Sequence, residues 1–169
     1  MSSAKGRLFL LAVASIVLVS TNFASAQIVA LGHSAVRGVV PESDMWPAVL
    51  EGLLRAKGSQ ARIINAGVFG ETTGSTLARI PSAVPPGTKV VILADNEFND
   101  LRLNLSRAQA AANLAAIKSQ LKARGIRIVD AMGVYLSVRG QPGMKAPDGI
   151  HLNVEGNKKV AAILAGMVR

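Results

Sequence analysis

The chain has 169 residues, and half of them are apolar, which suits one domain around one hydrophobic core. It has no cysteine, so disulfide bonds and cysteine-based zinc sites are excluded. Its two histidines fall on different predicted loops, so we expect no catalytic metal. The net charge of +9 is compatible with weak contact with an anionic membrane surface. Nucleic-acid binding is not expected, because the basic residues are scattered singly and aromatic residues are few.

The first 26 residues have the pattern of a cleavable signal peptide. Two basic residues precede an apolar run over residues 8–19, and the small residues Ala24-Ser25-Ala26 follow at a cleavage position. We therefore expect an exported, periplasmic or secreted protein with one domain over residues 27–169. A permanent membrane anchor is the alternative, although the run is shorter than the roughly 20 residues that a spanning helix needs.

After this segment, short apolar strands alternate with amphipathic helices. Strands are predicted at residues 27–31, 62–64, 90–93 and 126–129, with a fifth at 134–138. Helices are predicted around residues 46–57, 72–80, 106–124 and 153–167. This alternation is typical of an α/β domain in which a parallel sheet carries helices on both faces.

Capping residues indicate where several of these helices begin and end. Ser106 is expected to cap the longest helix, which ends at Gly125, and Asn153 is expected to cap the last one. A shorter helix is expected to begin at Thr72 or Thr73 and to end at Pro81.

Asp148 and His151 have the spacing of a catalytic base and the carboxylate that orients it. A carboxylate that accepts a hydrogen bond from one imidazole nitrogen leaves the other nitrogen free to take a proton from a serine. Ser34 is the matching serine, because it follows a predicted buried strand and Gly32, which can adopt a sharp turn.

Polar residues follow the other predicted strands as well. They are Asn65 to Thr73 after the second strand and Asn99-Asp100 after the third. In an open parallel sheet such loops meet outside the carboxyl ends of the strands, so these residues are expected to converge with the serine, histidine and aspartate. Acyl transfer through a serine needs such a nucleophile, base and orienter together with donors for the developing oxyanion.

These four blocks, in this order, resemble the signature of the SGNH hydrolase superfamily, also called the GDSL-type esterases and lipases. The phrases from Asn65 to Thr73 and from Ala83 to Thr88 look most like its small single-domain arylesterase or lysophospholipase-like branch. The resemblance implies a three-layer α/β/α sandwich with a flavodoxin-like parallel sheet. It also implies a serine ester hydrolase that acts on small acyl esters without a cofactor.

The resemblance also assigns roles to individual residues. Ser34 is implied as the nucleophile, His151 as the base and Asp148 as its orienter. The oxyanion hole is implied to consist of the Ser34 N–H, the Gly70 N–H and the side chain of Asn99. The oligomeric state stays open.

The nucleophile block departs from the family's pattern. Gly32-His33-Ser34-Ala35 stands where the family has Gly-Asp-Ser-Leu. His33 is not expected to be an alternative base for Ser34, because adjacent residues on an extended segment point to opposite faces. We expect a local hydrogen-bonding or packing role for His33.

The third block departs as well, since Glu97-Phe98-Asn99-Asp100 stands where the family has Gly-x-Asn-Asp. Glu97 either opposes the oxyanion and raises the pKa of His151, or it points to solvent or meets a cationic group of the substrate. Because Asp95-Asn96 precedes it, the alignment of the family's Gly-x-Asn-Asp block with this polar loop could be displaced by a residue. We assign the oxyanion-hole asparagine to Asn99.

The residues leave other functions open. An acyl thioesterase or a carbohydrate deacetylase would use the same chemistry, and loops such as residues 133–147 would set the substrate. A degenerate scaffold that binds acyl or glycan ligands without turnover is suggested by His33, Ala35 and Glu97.

Overall fold

The structure is a computed structural model, and it describes residues 27–168. The predicted signal peptide and its membrane-anchor alternative lie outside these residues. None of the helices in residues 27–168 has the length and hydrophobicity of a membrane-spanning segment.

Within residues 27–168 the chain alternates between four strands and eight α-helices. The strands are β1 (Gln27–Gly32), β2 (Arg62–Gly67), β3 (Thr88–Ala94) and β4 (Arg127–Asp130). The helices are α1 (Ser34–Arg37), α2 (Trp46–Ala56), α3 (Thr73–Ala78), α4 (Ile80–Ala83), α5 (Phe98–Arg102), α6 (Arg107–Ala123), α7 (Met132–Arg139) and α8 (Val154–Met167). The first four predicted strands are confirmed, and so are the caps Ser106 and Asn153.

The four strands form one parallel sheet in the order β2-β1-β3-β4. Side chains of β1 alternate between two hydrophobic cores: Ile28 and Ala30 face one, and Val29 and Leu31 face the other. The first core also contains buried residues of α2, α7 and α8, and the second contains those of α4 and α6. The result is the expected three-layer α/β/α sandwich, whose strands all end at the same edge.

The predicted fifth strand at residues 134–138 is wrong, because these residues belong to helix α7. Met132, Tyr135 and Val138 are the buried residues of α7, and their three-residue spacing is that of one helix face. Asp130 Oδ1 accepts a hydrogen bond from the Met132 N–H at 3.2 Å, which satisfies one of the free N–H groups at the start of this helix.

The predicted helix at residues 72–80 is divided in two. Thr72 caps α3, as expected, but that helix ends at Ala78. Pro81 lies in the first turn of the separate helix α4 instead of ending the first one. Proline suits this position because the N–H groups of a first helical turn have no partner within the helix.

The carboxyl ends of the strands approach one another closely. Gly32 at the end of β1 has a φ of +147°, and a Cβ there would lie 2.1 Å from Ala94 O of β3. A Cβ on Gly67 at the end of β2 would lie 2.3 Å from Arg37 N of α1. Only glycine fits at either place, and this close approach brings the loops that follow β1, β2 and β3 together.

Candidate active site

Ser34 is the first residue of α1, immediately after β1. His33 caps this helix, because its Nδ1 accepts a hydrogen bond from the Ala35 N–H at 3.1 Å. The fully buried indole of Trp46 donates from Nε1 to Ala35 O at 2.9 Å. These contacts hold the backbone on both sides of Ser34, whereas no described residue forms a hydrogen bond with its Oγ.

Asp148 and His151 form a hydrogen-bonded loop just before α8. Asp148 Oδ2 lies 2.6 Å from His151 Nδ1, and Asp148 Oδ1 accepts from the backbone N–H groups of Ile150 and His151, each at 2.9 Å. These bonds, with the imidazole contact the largest, lower the pKa of Asp148 to about 2. The carboxylate is therefore ionised at neutral pH, so it holds the proton of a neutral His151 on Nδ1 and leaves Nε2 as an acceptor.

Ser34 and His151 line the same open cleft. Its walls are mainly apolar and include Phe98, Met132, Tyr135, Leu136 and Ile150. Phe69 meets the His151 ring edge-on, with ring centroids 6.0 Å apart and planes at 84°. Nucleophile and base thus share a cleft whose walls suit an apolar substrate. Among residues 27–168, no group of three or more acidic or histidine side chains is placed to hold a metal ion.

Gly70 and Asn99, the other two predicted oxyanion donors, border a neighbouring cleft. Gly70 has a φ of +69°, and its N–H has no hydrogen-bond acceptor among the described residues. Asn99 is buried and donates from Nδ2 to Glu71 O at 2.8 Å. The structure therefore brings Ser34 together with His151, and Gly70 together with Asn99, in adjoining clefts.

Comparison with known proteins reveals distant relatives. No model of a known protein family matches the chain. An arylesterase of Vibrio mimicus is 29% identical over 113 residues, which cover 66% of this chain and 56% of that protein. Esterase TesA of Pseudomonas aeruginosa is 25% identical over 123 residues, which cover 72% of this chain and 61% of that protein. The matched region thus spans less than two thirds of either relative.

Solved structures match over a larger share of their length. A crystal structure of TesA covers 85% of this chain and 98% of its own, with a TM-score of 0.73 and 21% identity, which supports the fold. AlinE4, an SGNH-hydrolase family esterase, covers 85% of this chain and 95% of its own, with a TM-score of 0.61 and 28% identity. Its D162A variant is 31% identical over 85% of this chain and 72% of its own, with a TM-score of 0.56. The chain belongs to the SGNH hydrolase family.

Asn96 is a polar residue of this SGNH site that the sequence did not single out. It lies between β3 and α5 and lines the cleft of Ser34, which Asn99 does not. Its Oδ1 accepts the Phe98 N–H at 3.0 Å and lies 3.1 Å from His33 Nε2. In the part of the chain that the structure describes, Asn96 Nδ2 has no acceptor, so its two N–H groups remain available to a ligand.

His33, which departs from the SGNH pattern, bridges two loops. Since Nδ1 accepts the Ala35 N–H, the ring proton lies on Nε2, which donates to Asn96 Oδ1. Burial lowers the pKa of His33, although the hydrogen bond to Asn96 acts in the opposite direction. A neutral His33 thus joins the nucleophile loop to the loop after β3, which confirms the predicted hydrogen-bonding role.

Asp95 lies behind this bridge as a buried acid. Its Oδ1 accepts the Asn96 N–H at 2.9 Å and lies 4.0 Å from His33 Nε2, whereas its buried Oδ2 has no partner among the described residues. Burial raises the pKa of Asp95 to about 7, and the nearby carboxylates of Glu71 and Asp100 add to the shift. Around neutral pH this carboxyl group is therefore divided between its neutral and charged forms.

Glu97, the second departure from the SGNH pattern, forms an ion pair with Arg107 at the start of α6. The pair compensates the negative charge that, in one of the two predicted alternatives, would oppose an oxyanion. Glu97 is partly exposed, and its partner is a cation of the protein itself, which the sequence did not predict.

Proposed function

We propose that this SGNH protein is a carboxylic ester hydrolase that works by acyl transfer through Ser34. The observation that carries the proposal is the 2.6 Å contact between Asp148 and His151 in the same cleft as a serine that begins a helix. The two curated relatives are named as esterases, and AlinE4 is described as an SGNH-hydrolase family esterase, which supports the same reaction class.

In the first half-reaction, His151 Nε2 takes the proton of Ser34 Oγ while that oxygen attacks the ester carbonyl carbon. The new Oγ–C bond converts the carbonyl into a tetrahedral oxyanion, and the ionised Asp148 stabilises the imidazolium that forms. The imidazolium then protonates the leaving alkoxide, which departs as the alcohol and leaves an acyl group on Ser34.

In the second half-reaction a water molecule takes the place of the alcohol. His151 Nε2 removes a proton from this water as its oxygen attacks the acyl carbonyl carbon. Collapse of the second tetrahedral intermediate breaks the Oγ–C bond, and the proton held on His151 returns to Ser34. The products are a carboxylic acid and the free enzyme.

The oxyanion in both steps would be held by the Ser34 N–H, the Gly70 N–H and a side-chain amide. We assign this amide to Asn96, because Asn96 lines the cleft of Ser34 and its Nδ2 is free, whereas Asn99 Nδ2 is bonded to Glu71 O. Asn99 would then act on the turn that presents the Gly70 N–H. A lost oxyanion donor costs about 3 kcal/mol of transition-state stabilisation.

The substrate class that fits best is a small acyl ester. The apolar cleft walls favour an acyl chain over the hydroxyl-rich surface of an acetylated sugar, and a thioester would enter equally well. We further propose that the protein is exported with its N-terminal segment cleaved.

Labelling with a fluorophosphonate tests the nucleophile. We expect one adduct on Ser34 by peptide mapping, no adduct in Ser34→Ala, and normal labelling in Ser82→Ala, whose hydroxyl bonds to Arg79 O away from the cleft. A folded wild-type protein that gains no adduct would contradict the mechanism and favour a binding scaffold. Rates on a short acyl ester, its thioester and an acetylated sugar then rank the substrate classes.

A further inference from the structure

The mouth of the site carries a concentration of exposed apolar side chains. Of the twelve exposed large apolar residues among those described, five border the two clefts or contact His151. They are Phe69, Phe98, Leu103, Leu136 and Ile150, and we call them the apolar rim. A patch of this kind around a catalytic cleft exceeds what isolated surface residues explain and indicates contact with something apolar.

The charges beside the apolar rim are positive. Arg102 borders the cleft of Gly70 and stacks over the Phe98 ring at 5.8 Å, and Arg139 lines the cleft of Ser34. Neither arginine forms an ion pair with a described residue, and Arg139 donates one hydrogen bond to Ile150 O.

The acids near the apolar rim offset these two cations only in part. Glu97 is paired with the cation of Arg107, whereas Asp148 bonds to a neutral imidazole and keeps one exposed negative charge. Asp100 is buried, and it accepts hydrogen bonds from the backbone and hydroxyl of Thr73. The exposed groups at the mouth of the site therefore combine apolar side chains with a small net positive charge.

We propose that the apolar rim docks on anionic phospholipid bilayers, so that the site takes acyl esters held in a membrane. The proposal rests on the proposed esterase function. Apolar side chains with neighbouring arginines match the boundary between acyl chains and anionic headgroups. A protein partner or a second copy of the chain seated there would cover the mouth of the clefts, whereas a bilayer at the same place would supply the substrate.

Binding is tested with vesicles of ether-linked phosphatidylcholine, alone or mixed with an equal amount of ether-linked phosphatidylglycerol. These lipids contain no acyl ester, so co-sedimentation measures binding without turnover. We expect binding to the mixed vesicles, weaker binding to phosphatidylcholine alone, and loss of the difference as sodium chloride is added. Equal binding to both vesicles, or binding to neither, would overturn the proposal.

Two pairs of variants locate the surface. Leu103→Ser with Leu136→Ser should lower affinity for the mixed vesicles about tenfold or more, because less apolar area is buried. Arg102→Gln with Arg139→Gln should lower it about 25-fold, since each basic side chain near an anionic surface contributes about fivefold.

Matched controls lie towards the opposite edge of the sheet. Ile163→Ser with Met167→Ser removes similarly exposed apolar residues from α8, whose end contacts Arg127 at the start of β4. Lys89→Gln with Lys122→Gln removes two exposed cations. All variants share one N-terminus, so any lipid binding by that segment cancels. Controls that lose binding as far as the rim variants would overturn the location.

Two further measurements separate the remaining outcomes. Sedimentation velocity shows whether the Leu103 and Leu136 substitutions dissociate a dimer without changing vesicle binding, a result that would overturn the bilayer in favour of a second copy. Hydrolysis of a water-soluble short acyl ester needs no vesicle. A wild type that hydrolyses this ester but does not bind vesicles would refute the docking proposal and leave the esterase function intact. A wild type that is inactive on every ester would refute the proposed function.

Discussion

The two sides of the candidate site are held in different ways. The nucleophile side is buried, and contacts between residues far apart in the sequence fix it, as with Trp46 on Ala35 O and His33 near Asn96. The base side is exposed, and bonds within four residues shape it, with Asp148 as their common acceptor. The nucleophile's position thus depends on the whole sheet, and the base's position on one carboxylate.

Among the changes considered, removal of Asp148 should lower kcat most, because it disrupts the base side of the site. Asp148→Ala loses the imidazole contact and both backbone bonds, so kcat should fall about 10³ to 10⁴-fold. The thermal midpoint should fall only modestly, because the lost bonds lie on an exposed loop where solvent screens them. Steady-state kinetics and thermal unfolding check this, with Glu155→Ala, an exposed acid paired with exposed Lys158, as the control. A large loss of stability in Asp148→Ala would place its main role in folding.

The buried Asp95 makes the nucleophile side sensitive to pH. Its folded pKa of about 7 lies above the ordinary 3.8, so folding favours the protonated form. This stabilisation is present below about pH 4 and is lost as the pH rises to about 7. The loss lowers the free energy of unfolding by an amount on the order of 4 kcal/mol.

Asp95→Asn should remove this slope between pH 4 and 7, as denaturant unfolding across that range can show. Asp148 supplies an internal contrast, because its lowered pKa of about 2 affects stability only as the pH falls below about 4. An unchanged slope in Asp95→Asn would assign the pH dependence to other groups.

Two asparagines distinguish the parts of the proposed oxyanion hole. Asn96→Ala should lower kcat about 10² to 10³-fold with a smaller change in KM, because a donor to the transition state is lost. Asn99→Ala should instead reduce stability, since it removes the bond to buried Glu71 O. Gln109→Ala, which removes an exposed amide on α6, is the control. The reverse result, with kcat more sensitive at Asn99, would restore the sequence-based assignment.

Loss of the hydrogen bond between His33 and Asn96 should have the smallest effect on kcat among these changes. His33→Asn can still accept the Ala35 N–H but cannot reach Asn96, so kcat should fall about tenfold. In an Asn96→Ala background the same change should have almost no further effect. Equal losses in both backgrounds would show that His33 acts independently of Asn96.

The contrast between the two sides also explains what the sequence could predict. Asp148 and His151 are three residues apart, so their partnership is visible in the sequence. The choice between Asn96 and Asn99 depends on where β3 ends and α5 begins, because Asn96 precedes that helix and Asn99 lies within it.

The same difference between local and long-range contacts decides which secondary structure could be predicted. Ser106 and Asn153 are caps that act locally, and both were predictable. Residues 134–138 are a short apolar run that fits a strand as well as a helix, and only packing of Met132 and Tyr135 against the core decides for α7.

Trp46 connects both sides of the site. Its indole N–H holds Ala35 O beside the nucleophile, and its backbone N–H donates to Asn157 Oδ1, at 3.0 Å, in the helix that follows the base. It is also the only tryptophan in the chain. Intrinsic fluorescence therefore arises from one fully buried indole at this junction, and its emission wavelength reports whether the two halves of the site are assembled.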